Sequence, residues 1–202
     1  MKKCFFKCLM FTVILIPVIL ISGCTVTKKA AISMNPGFNP KSVDEILVLP
    51  VVDLRFDKTK MPDMEKVDNW MQNNIEGTLK KYGYKVKILT DRALVSKITE
   101  EDLSSQSASW VKQAVPAKSN WVLVVGLLDT ESKITFGSTG SAEVTGYFYN
   151  KEQVLTIWHD KGVGKVGQGG LMGMAMKATM KHDAIVMATW NMMASFPEIP
   201  KK

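Results

Sequence analysis

The chain has 202 residues, of which 46% are hydrophobic and 22% charged, and its formal net charge is +7. The basic excess is small and scattered, which argues against the concentrated positive surface of a nucleic-acid-binding protein. It favours a solvated, slightly basic surface and leaves open a weak attraction to anionic lipid or cell-wall polymer.

The first 24 residues have the pattern of an export signal. Three lysines and no acid lie within residues 1–7, and residues 8–21 are almost wholly apolar. A basic start, a short apolar core and small residues at the end are typical of a secretory signal. The apolar stretch of about 14 residues is shorter than the roughly 20 that span a bilayer as a helix. Pro17 in its middle also argues against a permanent membrane span.

The segment ends in Ile21-Ser22-Gly23-Cys24, which resembles the lipobox of bacterial lipoproteins. The resemblance implies that a diacylglycerol is added to the Cys24 thiol, that the bond between Gly23 and Cys24 is cut, and that the new amino terminus receives an N-acyl lipid. Cys4 and Cys8 leave with the leader. No disulfide and no thiolate metal site is therefore expected within one mature chain. Two or three acyl chains anchor a protein firmly to a membrane, whereas one chain binds weakly.

Thr25 follows the predicted lipidation site. Enterobacterial lipoproteins that stay in the inner membrane carry Asp at this position, so the resemblance implies an outer-membrane protein that faces the periplasm, if the host has two membranes. Residues 24–44 are polar, contain Pro36, Gly37 and Pro40, and are predicted to be a tether. A coil of this length would span about 25 Å and at most about 65 Å. Removal of residues 1–23 would lower the net charge to +4, because three lysines and no acid leave. Residues 45–202 are predicted to form a single domain.

Alternating strand and helix patterns fill the predicted domain. Residues 46–52 are a continuous apolar run, typical of a strand buried on both faces. Asp63 can cap a helix that reaches Tyr82, with Gly83 as its stop. The next predicted elements are a strand over 84–89, a broken helix over 91–115 and a strand over 121–128. A hairpin of 142–149 with 154–163 follows, and then a helix from 170 to about 196. A division of this last helix at Asp183 is left open.

This order, β-α-β-α-β-β-β-α, predicts an α/β (α+β) domain with a mixed sheet of about five strands and helices packed on it. The first strand, the 121–129 strand and the hairpin with Gly146-Tyr147-Phe148-Tyr149 resemble the periplasmic domain shared by the TolB N-terminal domain and the curli-secretion lipoprotein. The resemblance covers residues 45–196. The long pore-forming hairpins of the curli channel have no counterpart, so pore formation is not implied.

Residues 162–167 match the G-x-G-x-x-G pattern of dinucleotide-binding loops. Such a loop needs a helix and then a further parallel strand, with an acid about 20 residues on, and no strand pattern follows the last helix. We therefore expect a flexible strand exit that leads tightly into that helix. Binding of a small anion at the N-terminus of that helix is left as an open alternative.

The following segment alternates small residues with methionines, which adapt to irregular partners. Its methionines point in several directions around a helix axis, so one face can enter the core while another stays exposed. We predict an interaction or self-association surface here, with a weaker contribution from two tyrosines expected to be exposed on the hairpin. The candidate residues are Gly170, Met172, Gly173, Met174, Met176, Tyr147 and Tyr149.

Catalytic and metal-binding patterns are absent from the sequence. There is no Gly-x-Ser-x-Gly motif, and His159 and His182 have no carboxylate cluster at ligand spacing. We predict a non-enzymatic envelope lipoprotein without cofactor other than its lipid, which binds a protein partner or itself. The alternative is a small-molecule-binding or catalytic lipoprotein. It would need a polar pocket that joins Asp53 and Arg55, after the first strand, to the glycine-rich turn.

Overall fold

A computed structural model describes residues 30–60, 63–105, 109–116, 118–135, 137–170 and 177–201. Within these ranges no helix is both long enough and apolar enough to cross a membrane. The strands are β1 Ser33–Met34, β2 Ile46–Val48, β3 Val52–Asp53, β4 Val86–Ile88, β5 Trp121–Thr135, β6 Gly137–Asn150 and β7 Leu155–Gly169. The α-helices are α1 Met64–Lys81, α2 Glu100–Ser104, α3 Ser109–Ala114 and α4 Lys177–Met193. Short 3-10 helices span Pro40–Ser42, Lys58–Lys60 and Arg92–Leu94.

The strands form one mixed sheet in the order β1-β7-β6-β5-β2-β4, with β3 paired to β5. Strand β2 runs parallel to β4 and β5, while β5, β6 and β7 form an antiparallel meander. The predicted fold class is confirmed, with seven strands rather than about five. One reason is that the predicted 46–52 strand is split at Pro50, which has no N–H to donate. The next amide, Val51 N, donates to Asp68 Oδ1 at 2.7 Å instead of to the sheet.

The centre of the sheet is buried on both faces, as the apolar run over 46–52 predicts. Alternate residues of β2 and β5 enter two separate apolar clusters, with Val48 in one and Val124 in the other. Both side chains are almost inaccessible to solvent. Helices α1 and α4 cover the first face. The second face is covered by Val95, Leu103, Val111 and Val115, from the segment that contains α2 and α3.

Helix α1 matches its predicted bounds because all its local signals agree. Asp63 accepts a hydrogen bond from Lys66 N and caps the helix, and Gly83 adopts a positive φ of 97° just after it. The stripe that faces the sheet is completely buried and consists of Val67, Met71, Ile75 and Leu79.

Strand β7 continues through the glycine-rich segment that we expected to be a flexible strand exit. Residues Gly162 to Gly169 pair with β6 throughout. A Cβ on Gly162 would overlap the carbonyl oxygen of Ala188, and a Cβ on Gly164 would overlap that of Ala184. The glycines therefore let α4 lie directly on the strand, and the expected loop is wrong. Within its described span α4 is continuous across Asp183, which settles the open question of a division there.

The segment before β2 belongs partly to the fold. Strand β1 pairs antiparallel with β7, with Ser33 opposite His159. The Phe38 ring packs edge-on against Trp121 and Phe148, at centroid distances of 5.7 and 5.9 Å. The expected coil over residues 24–44 is therefore wrong for its second half. Cys24 and the rest of the predicted leader lie outside the described residues.

Candidate interaction site

The meander of β5, β6 and β7 extends beyond the part of the sheet that is covered on both faces. We call its far part, residues 129–135, 137–143 and 163–169, the distal sheet. Gly140 and Gly164 face α4, which approaches too closely for any larger side chain. On the other face the described side chains are exposed or half-buried, and all of them except Val163 are polar or charged. The sequence thus places small residues toward the helix and polar residues toward the solvent, at the period of two that a strand requires.

The outward face of the distal sheet forms a shallow concavity of about 490 Å³. Glu131 on β5 lies opposite Ser141 on β6, which in turn lies opposite Lys165 on β7. Lys133 Nζ lies 3.2 Å from Glu131 Oε2, and both side chains are largely in solvent. An ion pair of this kind contributes little to stability. Its charges can therefore exchange this contact for one with a partner at small cost.

The predicted interaction residues fall into three groups. Gly170 directly follows β7 at the tip of the distal sheet, with a φ of 73°, one residue after the Gly169 that pairs with Gly137. The second group lies outside the described residues and consists of Met172, Gly173, Met174 and Met176. The third group, Tyr147 and Tyr149, lies at the opposite end of the meander.

The two tyrosines are buried, so the expectation that they are exposed is wrong. The segment that contains α2 covers them, and the Tyr149 hydroxyl donates to the Leu103 carbonyl oxygen at 3.0 Å. Burial raises the pKa of Tyr147 and of Tyr149. The structure therefore brings Gly170 to the distal sheet and separates the tyrosines from it.

Asp53, the last residue of β3, and Arg55 form an ion pair. Arg55 Nε donates to Asp53 Oδ1 at 2.7 Å, and Nη2 donates to Oδ2 at 2.9 Å. Burial alone would raise the pKa of Asp53, but the hydrogen bonds and charge of Arg55 lower it. Asp53 is paired with Leu127, which leads through Val144 to Gly162, so two strands separate it from the glycines. At about 4.8 Å per strand this is roughly 14 Å. The pocket that the small-molecule alternative needs is not formed among the described residues.

A second polar cluster lies where the carboxyl ends of β2 and β4 meet, and it has no counterpart among the predicted sites. Asp68 accepts hydrogen bonds from Val51 N and from Arg92 Nη1, and Arg92 Nη2 donates to the Val51 carbonyl at 3.2 Å. Gln72 Nε2 donates to the carbonyls of Leu49 and Leu89. These groups border a cavity of about 360 Å³. Open α/β sheets often bind ligands at such a position, but here the polar groups satisfy one another and the strand ends.

The sequence offers one signal for this cluster. Asp68 and Gln72 each follow a residue of the buried α1 stripe, and they are themselves one turn apart. Polar residues that border an apolar stripe in this way often bond to main-chain groups beneath the helix.

The two histidines occupy different parts of the molecule. His159 stacks on Tyr147 at a centroid distance of 4.2 Å, whereas His182 packs edge-on against Trp70 at 4.8 Å. Burial lowers the pKa of His159, the charge of Lys161 lowers it further, and Asp160 opposes the shift. Across the described ranges, no three His, Cys, Asp or Glu side chains are grouped so that they could hold a metal ion.

No protein-family model matches the chain, and no curated protein matches it in sequence. Solved structures do resemble it. PelC from Paraburkholderia phytofirmans, solved as a dodecamer, is 14% identical, aligns over 78% of this chain and 94% of its own, and gives a TM-score of 0.42. Lipoprotein GNA1162 from Neisseria meningitidis is 14% identical over 67% of this chain and 93% of its own, with a TM-score of 0.44. A minor lipoprotein from Acinetobacter baumannii is 8% identical over 73% and 87%, with a TM-score of 0.35. Two of these three are bacterial lipoproteins, and the similarity to all three is loose.

Proposed function

We propose that this chain is a lipid-anchored component of the bacterial cell envelope that binds another protein and does not itself catalyse a reaction. The lipobox at Cys24 supports the anchor and the envelope location, and Thr25 supports the outer membrane facing the periplasm. The resemblance to the TolB N-terminal and curli-secretion domains supports a role in secretion, cell-wall assembly or a surface complex.

The observation that carries the interaction role is the outward face of the distal sheet. The three strands are held rigidly by their own pairing and by α4 behind them. A rigid face loses little conformational entropy when a partner docks on it. Its mixed charges, Glu131 and Lys133 beside Lys165, suit a partner with a complementary polar surface. Gly170 lies at the same end of the sheet. We propose that the methionine-rich sequence that follows it takes part in the same interaction.

The anchor is tested by Cys24→Ala in the native host. Without the thiol no diacylglycerol can be attached, and the signal should stay uncleaved, so a larger and unlipidated precursor is expected on gels. Cys8→Ala is the matched control, because this cysteine lies in the predicted leader and the variant should mature normally. Maturation of Cys24→Ala at the same site, with unchanged membrane association, would refute the lipobox.

The interaction surface is tested with a photo-activated cross-linking residue in intact cells. Placed at Ser141 or Lys165, it should give discrete adducts with one partner or with a second copy of the chain. Lys87 is the control position, because it is exposed on β4 at the opposite edge of the sheet. Lys165→Glu should reduce the adducts formed from position 141. Equal adducts from Lys87 and Ser141, or none from Ser141 while the protein is anchored and folded, would contradict this assignment.

A further inference from the structure

Exposed apolar side chains gather along one edge of the sheet. We call Ile32, Met34, Val163, Met187 and Trp190 the edge patch. Trp190 and Ile32 are the most exposed of the five, each with 58% of its residue surface accessible to solvent. Large apolar side chains left in contact with water on one side of a domain indicate a surface that something else covers.

Backbone pairing and one side-chain contact bring these residues together. Strand β1 lies on the outer edge of β7, with Met34 opposite Trp158, five residues before Val163. Asn191 Nδ2 donates to the Val163 carbonyl oxygen at 2.8 Å, which brings the side of α4 to this edge. On α4, Met187 lies one helical turn before Asn191, and Trp190 directly precedes Asn191. The edge patch therefore follows the outer edge of β7, with Met34 and the α4 residues on one face of the sheet and Val163 on the other.

The described part of the chain begins at this same edge, so the residues that lead back to the proposed anchor at Cys24 start from it. Ile32 precedes β1 directly and is eight residues from Cys24. Eight residues reach at most about 28 Å when fully extended and about 16 Å on average as a coil. A domain of this size is about 40 Å across. A lipid on Cys24 would thus keep the edge patch closer to the bilayer than the opposite edge at β4.

We infer that the edge patch rests on the surface of the phospholipid bilayer that carries the Cys24 lipid, with Trp190 and Met187 among the headgroups. The inference builds on the proposed lipid anchor. Tryptophan favours the membrane interface, where its ring contacts apolar chains and its N–H stays hydrated.

The anchor explains why so small a patch suffices. Five side chains alone would bind a bilayer weakly, but the anchor makes their contact intramolecular and raises its effective concentration. The sheet would stand edge-on, with β1 and β7 at the membrane and β4 away from it. The outward face of the distal sheet would then be turned to the side and remain accessible to a partner.

The test uses the full chain, matured and lipidated in its host, and reconstituted in vesicles of phosphatidylethanolamine and phosphatidylglycerol. Cys24 is the sole cysteine of the predicted mature chain, so Met187→Cys introduces a single thiol for an environment-sensitive dye. Lys87→Cys on β4 is the matched control. The dye at position 187 should shift to the blue and be quenched about twofold by brominated lipid, as an interfacial group is. The dye at position 87 should show neither change.

Two outcomes would overturn the inference. A dye at position 187 that behaves like the one at position 87, in protein that floats with the vesicles, leaves the anchor intact and removes the docking. A blue shift without quenching, which grows with the ratio of protein to lipid, assigns the edge patch to a second copy instead. If Cys24 carries no lipid, this is detected separately: the Cys24 thiol would react with the dye, and the protein would not float with the vesicles.

Discussion

Trp158 and Asp160 point from β7 toward the end of α4, where they meet Ser195. Trp158 Nε1 donates to Ser195 Oγ at 3.0 Å, and Ser195 Oγ donates to Asp160 Oδ2 at 2.6 Å. All three side chains are buried, so each depends on the others for hydrogen bonds that water cannot supply. This chain of bonds fixes the end of α4 against the sheet. The period of two places Asp160 on the same face as Trp158, but the sequence does not indicate Ser195, 35 residues away, as the partner of Asp160.

The neighbouring His159 makes stability depend on pH. Its folded-state pKa is lowered, chiefly by burial, whereas an unfolded histidine titrates near 6.5. Between these two values the unfolded chain binds more protons, so the free energy of unfolding should fall as the pH falls below about 6.5. Urea unfolding at pH 7.5 and pH 5.5 should show this fall in the native protein and a smaller fall in His159→Gln.

His182→Gln is the control for this measurement, since it removes the other histidine and leaves His159 in place. The part of the pH dependence that comes from His159 should remain in this variant. Identical pH slopes in His159→Gln and the native protein would show that the burial of His159 does not matter to stability.

At the scale of elements, prediction succeeded where the signals are local. Helix α1 carries its cap, its stripe and its stop within its own sequence. Strand β5 was expected to end at residue 128 but continues to Thr135. Residues 129–135 and 137–141 are mostly small or polar and have no strand pattern of their own. Pairing between β5 and β6, and the support of α4 behind them, keeps them extended.

The close contact between α4 and β7 predicts opposite effects for two glycine substitutions. Gly164→Ala places a methyl group against the Ala184 carbonyl, and overpacking of this kind should cost about 1–3 kcal/mol. Gly77→Ala lies on the exposed side of α1 with free space around it, and should stabilise the protein by up to about 1 kcal/mol. Thermal unfolding of both variants measures the two effects. Equal and small effects would mean that α4 packs less closely than the structure indicates.

For the whole molecule, the sequence predicts a sheet covered on both faces, because both faces of β2 and β5 are apolar. It also predicts a lipobox, because that pattern is a short contiguous motif. The distal sheet and the edge patch could not be predicted, since each depends on residues that are far apart in the chain. The packing of the segment before β2 on the domain could not be predicted for the same reason. Phe38 contacts Trp121 and Phe148, more than 80 residues away, and no local pattern marks it as part of the core.

The contacts of Phe38 predict that the folded domain begins before β2. If residues 33–42 belong to the cooperative unit, Phe38→Ala should remove ring contacts on two aromatic side chains. The expected cost is about 2 kcal/mol, below that of a fully buried phenylalanine because Phe38 is only partly buried. For a domain of this size that lowers the Tm by roughly 4–8 °C. Phe56→Ala is a control of the same chemistry, because that side chain is fully exposed at 106% and should leave the Tm unchanged. If the two variants melt together, the segment is a tether that merely touches the domain, and the fold begins near residue 45.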